Sequence, residues 1–363
     1  MRRLLGQILA AILIVGVVVA IVISGGDDGP SSADTITVRG VIGSEKKPFF
    51  EDPRVRAEFR RKGFRVEVDT AGSRQIATSV ALSEYDFAFP AGAPAGEKIK
   101  LENQLSSSYT VFYTPMVIAS WTPIAELMVG AGVAERRAGW YSFDIANYLK
   151  LVEANTRWTD LPGNHVYPAE KSILITSTDV RTSNSAAMYL SLTSYVANRD
   201  NVVENPEQAD EVVPEVAPIF LRQGFTAASS EEPFEDYLAI GIGKTPMVMI
   251  YEAQFLSREF LGDGSITPDM VLMYPEPDIL SKHTFVPVTS EGDEIGNLLL
   301  RDPVLERLAI EYGFRTNRPA PFLEKVRESG VEIPSTIVDL IEPPSYESLE
   351  YMITRIEELY GQA

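Results

Sequence analysis

The sequence predicts an α/β protein with a mainly parallel sheet, behind an N-terminal transmembrane helix. Three observations carry that reading. From Ile36 onward, apolar β-branched stretches alternate with amphipathic ones, a rhythm that lays helices on the faces of parallel strands. Glycine and serine cluster where those strands end, as in Gly43-Ser44 and Gly72-Ser73, the edge at which such sheets bind ligands. The run Leu4–Ile23 carries Gln7 as its one polar side chain, long enough to cross a hydrocarbon core of ~30 Å as a helix.

Residues 1–25 therefore read as a signal-anchor and 26–34, rich in Gly, Asp, Pro and Ser, as a flexible tether. Arg2 and Arg3 put the N-terminus on the cytoplasmic side. The expected location is a single-pass cell-membrane protein, with lipid contact through residues 4–23 and the soluble part extracytoplasmic. A cleaved signal peptide is the alternative, but the run exceeds the usual apolar region and Val22-Ile23-Ser24 matches a cleavage site poorly. The sequence has no cysteine, which removes disulfides, thiol catalysis and a lipid on cysteine. Its net charge of −19 argues against nucleic acid and anionic lipid surfaces as partners.

After the tether about 330 residues remain, roughly two domains. Ile36–Ile42 reads as a buried strand, Phe49–Lys62 as a helix, and Phe64–Asp69 as a half-buried strand. Ser73–Leu82 reads as a helix after Gly72, and Tyr85–Phe89 as a third strand. Beyond Tyr109–Trp121, helices are expected at Ile124–Val129, Phe143–Ala154, Asn184–Ala197, Pro214–Gln223, Pro233–Ile240 and Gln254–Leu261. Strands are expected at Ser172–Ser177, Pro246–Tyr251, Met270–Tyr274 and Thr284–Val288. Glu294–Tyr312 reads as a helix interrupted at Asp302-Pro303, and the C-terminus as mostly helical.

The order and spacing of several stretches resemble the bacterial extracellular solute-binding proteins, in the two-lobed class of the phosphate, sulfate and molybdate binders. They include Val41-Ile42-Gly43-Ser44-Glu45-Lys46-Lys47, Ala71-Gly72-Ser73-Arg74-Gln75 and Tyr113-Thr114-Pro115-Met116. Further on come Ser177-Thr178-Asp179-Val180-Arg181-Thr182-Ser183-Asn184-Ser185, Tyr251-Glu252-Ala253-Gln254 and Ser281-Lys282-His283-Thr284-Phe285-Val286-Pro287. The resemblance implies a two-lobed periplasmic-binding-protein-like fold of type II, with hinge closure around a ligand. Lobe one would comprise 35–116 plus 287–363, and lobe two 117–286.

Candidate ligand-binding residues follow from position at strand ends and helix starts. Ser183, Asn184 and Ser185 open a helix, whose unpaired N–H groups and partial positive charge suit an oxyanion or carboxylate. A plain helix cap is the alternative. Ser73 and Arg74 have the same arrangement in lobe one, and Ser44 follows the first strand. Tyr251 and Glu252 end a buried strand on the cleft side of lobe two. A carboxylate there favours a cationic or hydroxyl-bearing solute, or a hard metal ion, unless Glu252 pairs with an arginine such as Arg181. His165 and His283 are isolated, and the aspartates lack calcium-loop spacing, so no metal and no cofactor is expected. Enzyme signatures are lacking: there is no G-x-S-x-G elbow, and Gly243-Lys244-Thr245 lacks the earlier glycine of a phosphate loop. The expected function is capture of a small polar or anionic solute, with a membrane transporter as the receiving partner. The alternative is a surface interaction or sensing protein that keeps the fold and contacts a neighbouring membrane protein.

Overall fold

The computed structural model describes residues 35–224 and 226–360. The expected anchor over 4–23 and the tether over 26–34 lie outside the described residues. No helix among those described is long and apolar enough to cross a membrane.

The first lobe is built on β1 (Ile36–Ile42), which pairs in parallel with β2 (Phe64–Thr70) and β3 (Phe87–Phe89). The stretch expected as one helix divides into α1 (Lys47–Glu51) and α2 (Pro53–Arg61). Pro53 has no N–H to continue the first helix, and the Asp52 carboxylate accepts from Arg54 N and caps the second. Helices α3 (Ser73–Thr78) and α4 (Ala93–Glu102) follow in this half. Its core gathers Phe49, Phe87, Phe89 and Phe285. Gly40 lets the Phe87 ring lie on β1, since a Cβ there would meet that ring at 2.0 Å.

Two long strands join the lobes. β4 (Tyr109–Trp121) and β9 (Asp278–Pro287) run antiparallel, pairing Tyr109–Pro115 with Leu280–Phe285. The end of β9 pairs with β3 in lobe one. The second half of β4 enters lobe two, flanked by β7 (Met247–Tyr251) and β8 (Met270–Glu276), and β6 (Tyr141–Asp144) and β5 (Ala134–Arg136) extend that sheet. Around it pack α5 (Thr122–Gly130), α6 (Ile145–Glu153), α7 (Asn184–Ala197), α8 (Pro206–Leu221), α9 (Glu231–Ala239) and α10 (Glu252–Leu261). The chain then forms α11 (Ser290–Arg301), α12 (Pro303–Glu311), α13 (Pro319–Ser329), the short β10 (Leu340–Ile341) and α14 (Tyr346–Tyr360).

Four further sequence expectations change. Phe143 lies in a strand, and the helix starts after Asp144, whose carboxylate caps it through Asn147 N. Ser172–Ser177 forms isolated bridges at Ser172 and Thr176 rather than a strand. There, side chains take the backbone donors, with Tyr148 OH accepting from Ile175 N and Gln223 Oε1 from Ser177 N. Helix α8 begins at Pro206 under an Asn205 cap and tolerates Pro214 and Pro218 inside it. Finally, α14 does not sit with lobe one alone. Its apolar stripe Leu349, Met352, Ile353 and Ile356 joins the core of lobe two, because i, i+3, i+4, i+7 spacing gives it one face to bury.

Candidate functional site

Where the lobes meet, one small cavity is walled by the beginnings of helices from both sides. Gly43, Gly72, Ser183, Ser230 and Tyr251 all line it. Each is also the residue capping the N-terminus of a helix: Gly43 the short 3-10 turn Ser44–Lys46, Gly72 α3, Ser183 α7, Ser230 α9 and Tyr251 α10. The first N–H groups of a helix have no partner within it, and its dipole leaves partial positive charge there. Five such ends around one space make a wall of donors.

Of the eight candidate residues, Ser44, Ser73, Ser183, Asn184 and Tyr251 line this cavity. The Ser73 hydroxyl accepts from Ala91 N at 2.8 Å. Asn184 Nδ2 donates to Tyr251 OH at 2.9 Å. Burial and the nearby Glu45 charge raise the pKa of Tyr251 well above the usual phenol range, so the phenol stays neutral. Ser185 sits one layer back, with its hydroxyl 2.8 Å from Thr178 Oγ1 and 3.0 Å from Ser183 Oγ.

Arg74 and Glu252 lie elsewhere. Arg74 leaves the cavity to bond Glu350 Oε2 through Nε at 2.7 Å and to donate to the Arg181 carbonyl. The Glu252 side chain is fully buried and takes two bonds from Arg315, at 2.7 and 2.8 Å, and one from Tyr274 OH at 2.7 Å. Its partner is thus Arg315, not Arg181. Arg181 instead pairs with Asp179, which also accepts its backbone N–H.

Sequence reasoning missed Glu45, Ser229 and Ser230 on the cavity wall. The run Ser229-Ser230-Glu231-Glu232 before an amphipathic helix is a start signal, obscured by Pro233. Glu45 sits in a buried triad. The Lys46 ammonium bonds Glu45 Oε1 and lies 3.2 Å from His283 Nδ1, with Glu45 Oε1 3.3 Å from that nitrogen. Burial alone would raise the Glu45 carboxyl, but Lys46 and then His283 outweigh it and hold it at about 2. Burial, with the Lys46 charge, pushes His283 down to about 4.

The cavity is about 20 Å³, room for roughly one water. The lobes meet directly across it: Ser44 Oγ lies 2.9 Å from Ser229 Oγ, and a Cβ at Gly72 would meet the Thr182 carbonyl oxygen at 2.6 Å. Chemically, the wall offers hydroxyl, amide and backbone donors. His283 contacts Lys46 and Glu45 rather than a serine.

No family model matches the chain, and no curated protein matches it. Solved structures share its fold. The substrate-binding protein of an ABC transporter from Agrobacterium tumefaciens is 12% identical and aligns with a TM-score of 0.58, over 92% of this chain and 96% of that one. The sulfate-binding protein SubI from Mycobacterium tuberculosis H37Rv is 13% identical, TM-score 0.51, over 86% and 96%. Iron-bound HitA from Pseudomonas aeruginosa is 10% identical, TM-score 0.53, over 90% and 99%. The chain thus has the two-lobed α/β fold of periplasmic binding proteins.

Proposed function

We propose that this protein is an extracytoplasmic solute-binding protein, held to the membrane by a helix over residues 4–23, that captures a small polar solute bearing an oxyanion between its lobes. One observation carries the reading: five helix N-termini from both lobes face one cavity. Such ends stabilise negative charge without a cationic side chain, which suits a wall lined by no arginine among the described residues, with Arg74 engaged elsewhere. The solute enters when the lobes part about the β4–β9 strands, and they close onto it short of the direct contact described above. The fold shared with a binding protein named for an ABC transporter supports a transporter in the same membrane as the receiving partner.

The test is thermal melting of the purified full chain in detergent against inorganic and organic oxyanions, amino acids, sugars and metal ions. A ligand at a hundred times its dissociation constant stabilises the native state by about 2.7 kcal/mol. A rise of several degrees with one class identifies it, and a flat response to all of them ends this reading.

A second reading has its own observation. The cavity is nearly closed by the protein's own groups, Ser44 against Ser229 and Gly72 against Thr182. A surface protein that keeps the fold for contact with a neighbouring membrane protein would have such a cleft. It predicts the flat ligand response, together with recovery of a defined membrane partner after cross-linking.

A further inference from the structure

Beside the interlobe cavity lies a larger hollow of about 230 Å³, and the two share Glu45 and Tyr251. Lobe one gives this hollow Tyr312 and Phe314, and lobe two gives it Phe234 and Glu231. Its one arginine, Arg258, is shared among three carboxylates, Glu235, Asp263 at 3.2 Å and Glu231 at 3.6 Å. Glu231 Oε2 also accepts from the uncharged Gln254 amide at 3.2 Å. The hollow is thus aromatic and lined by carboxylates, a surface that suits an organic ammonium group.

Glu45 stands at the junction. Its side chain is 8% exposed. Its Oε1 is engaged by Lys46 and His283, while its Oε2 has no hydrogen-bond partner among the described residues. The two compartments therefore favour opposite charges. The helix N-termini favour an oxyanion, and a carboxylate at the junction repels a bare one.

Resting on the solute-binding reading above, we propose that the solute is a small zwitterion. Its oxyanion lies at the helix N-termini, its ammonium meets Glu45 Oε2, and its connecting carbons lie among Phe234, Tyr312 and Phe314. Inorganic phosphate or sulfate would leave the aromatic hollow unused and Glu45 Oε2 without a partner.

The experiment is calorimetric titration of the full chain in detergent. The probes are ω-aminoalkylphosphonates with two to four methylenes, the matching alkylphosphonates without the amine, inorganic phosphate and sulfate. The best amino compound is expected to bind about tenfold or more tightly than its amine-free partner. Glu45→Gln should shrink that ratio to about threefold or less. Ser257→Trp, which fills the hollow from α10, should weaken the amino compound more than it weakens phosphate, and it carries the test if Glu45→Gln fails to fold. Amine-free phosphonates, phosphate or sulfate binding as tightly as the amino compounds would overturn the zwitterion and leave oxyanion capture standing. Equal losses for both ligand types in Ser257→Trp would also overturn it. Binding by none of the probes would overturn the zwitterion, while the melting screen above decides solute capture separately.

Discussion

The cleft wall and the hinge interior are both polar regions at the junction of the lobes, and they are built in opposite ways. The cleft wall is largely small and uncharged: Gly43, Ser44, Gly72, Ser73, Ser183, Asn184, Ser229 and Ser230 present helix starts, with Glu45 as the exception. The hinge interior is charged. Glu252 begins α10 in lobe two, while Arg315 follows α12 and is bridged to Tyr113 of β4 through backbone bonds of 2.8 and 3.0 Å. The contrast teaches where each kind of polarity belongs. Groups that must part and meet again are neutral, so exposing them to water costs little. Groups that stay together through a hinge motion can be ions, because their pairing need not be broken.

The largest effect should come from breaking the hinge pair. Arg315→Met leaves Glu252 as an uncompensated buried charge, at a cost of about 3–5 kcal/mol. The double variant Glu252→Gln/Arg315→Met should recover much of that loss, since replacing both members of such a pair is often near neutral. Urea denaturation of the three variants measures it. A loss below about 1 kcal/mol for the single change would place the pair among those that contribute little.

The same contrast explains what was legible in the sequence. The cleft residues sit beside local signals, a strand end followed by Gly or Ser and then an amphipathic run, so Ser44, Ser73, Ser183, Asn184 and Tyr251 could be read from short windows. The hinge depends on distant pairs. Glu252 and Arg315 are 63 residues apart, and Lys46 and His283 are 237 apart. No spacing rule brings such residues together, so the sequence offers Arg181 as readily as Arg315 for Glu252 and shows His283 as an isolated histidine. The strand–helix order was legible because periodicity is local. The place of α14 was not, because its apolar stripe states that a face is buried without naming the face it meets.

Acid should expose the second buried cluster. His283 is held down to about 4 by burial and the Lys46 charge. Between its ordinary value near 6.5 and pH 4, the unfolded chain takes up a proton that the native chain refuses. Stability therefore falls as pH falls through that window, by about 3 kcal/mol in all. Glu45, held at about 2 against an ordinary 4.5, adds a further loss of the same sign between pH 4.5 and 2. His283→Asn should flatten the decline between pH 6.5 and 4 and leave the lower one. Denaturant midpoints at pH 7, 5.5 and 4.5 check this, and parallel curves for the two proteins would show that His283 takes up its proton as readily in the native chain as in the unfolded one.

A smaller change should come from the meeting surface itself. Gly72 has φ −61°, so a side chain there is not strained by the backbone, but its Cβ would lie 2.6 Å from the Thr182 carbonyl oxygen across the cleft. Gly72→Val should keep the lobes from reaching their direct contact at Thr182, with little effect on unfolding. Small-angle scattering would show a larger radius of gyration. An unchanged profile would mean that the loops around Gly72 and Thr182 give way instead.

The smallest expected effect on stability is at Arg74, and it bears most directly on how the cleft works. Arg74 extends from α3 of lobe one to Glu350 on α14, which is packed on lobe two, and to the Arg181 carbonyl of lobe two. The pair is partly exposed, at 26% and 21%, so it is worth about 1 kcal/mol or less. These contacts need the lobes together, so their whole value falls on the balance between open and shut. At about 1 kcal/mol that is roughly a fivefold change in the ratio of the two forms. Arg74→Gln should therefore leave the unfolding free energy within about 1 kcal/mol of the parent while shifting the interlobe distance distribution toward open. Paired spin labels, one on α2 and one on α8, would measure that distribution. If it does not move, Arg74 is a surface pair without a part in closure, and the serine and glycine contacts hold the cleft shut by themselves.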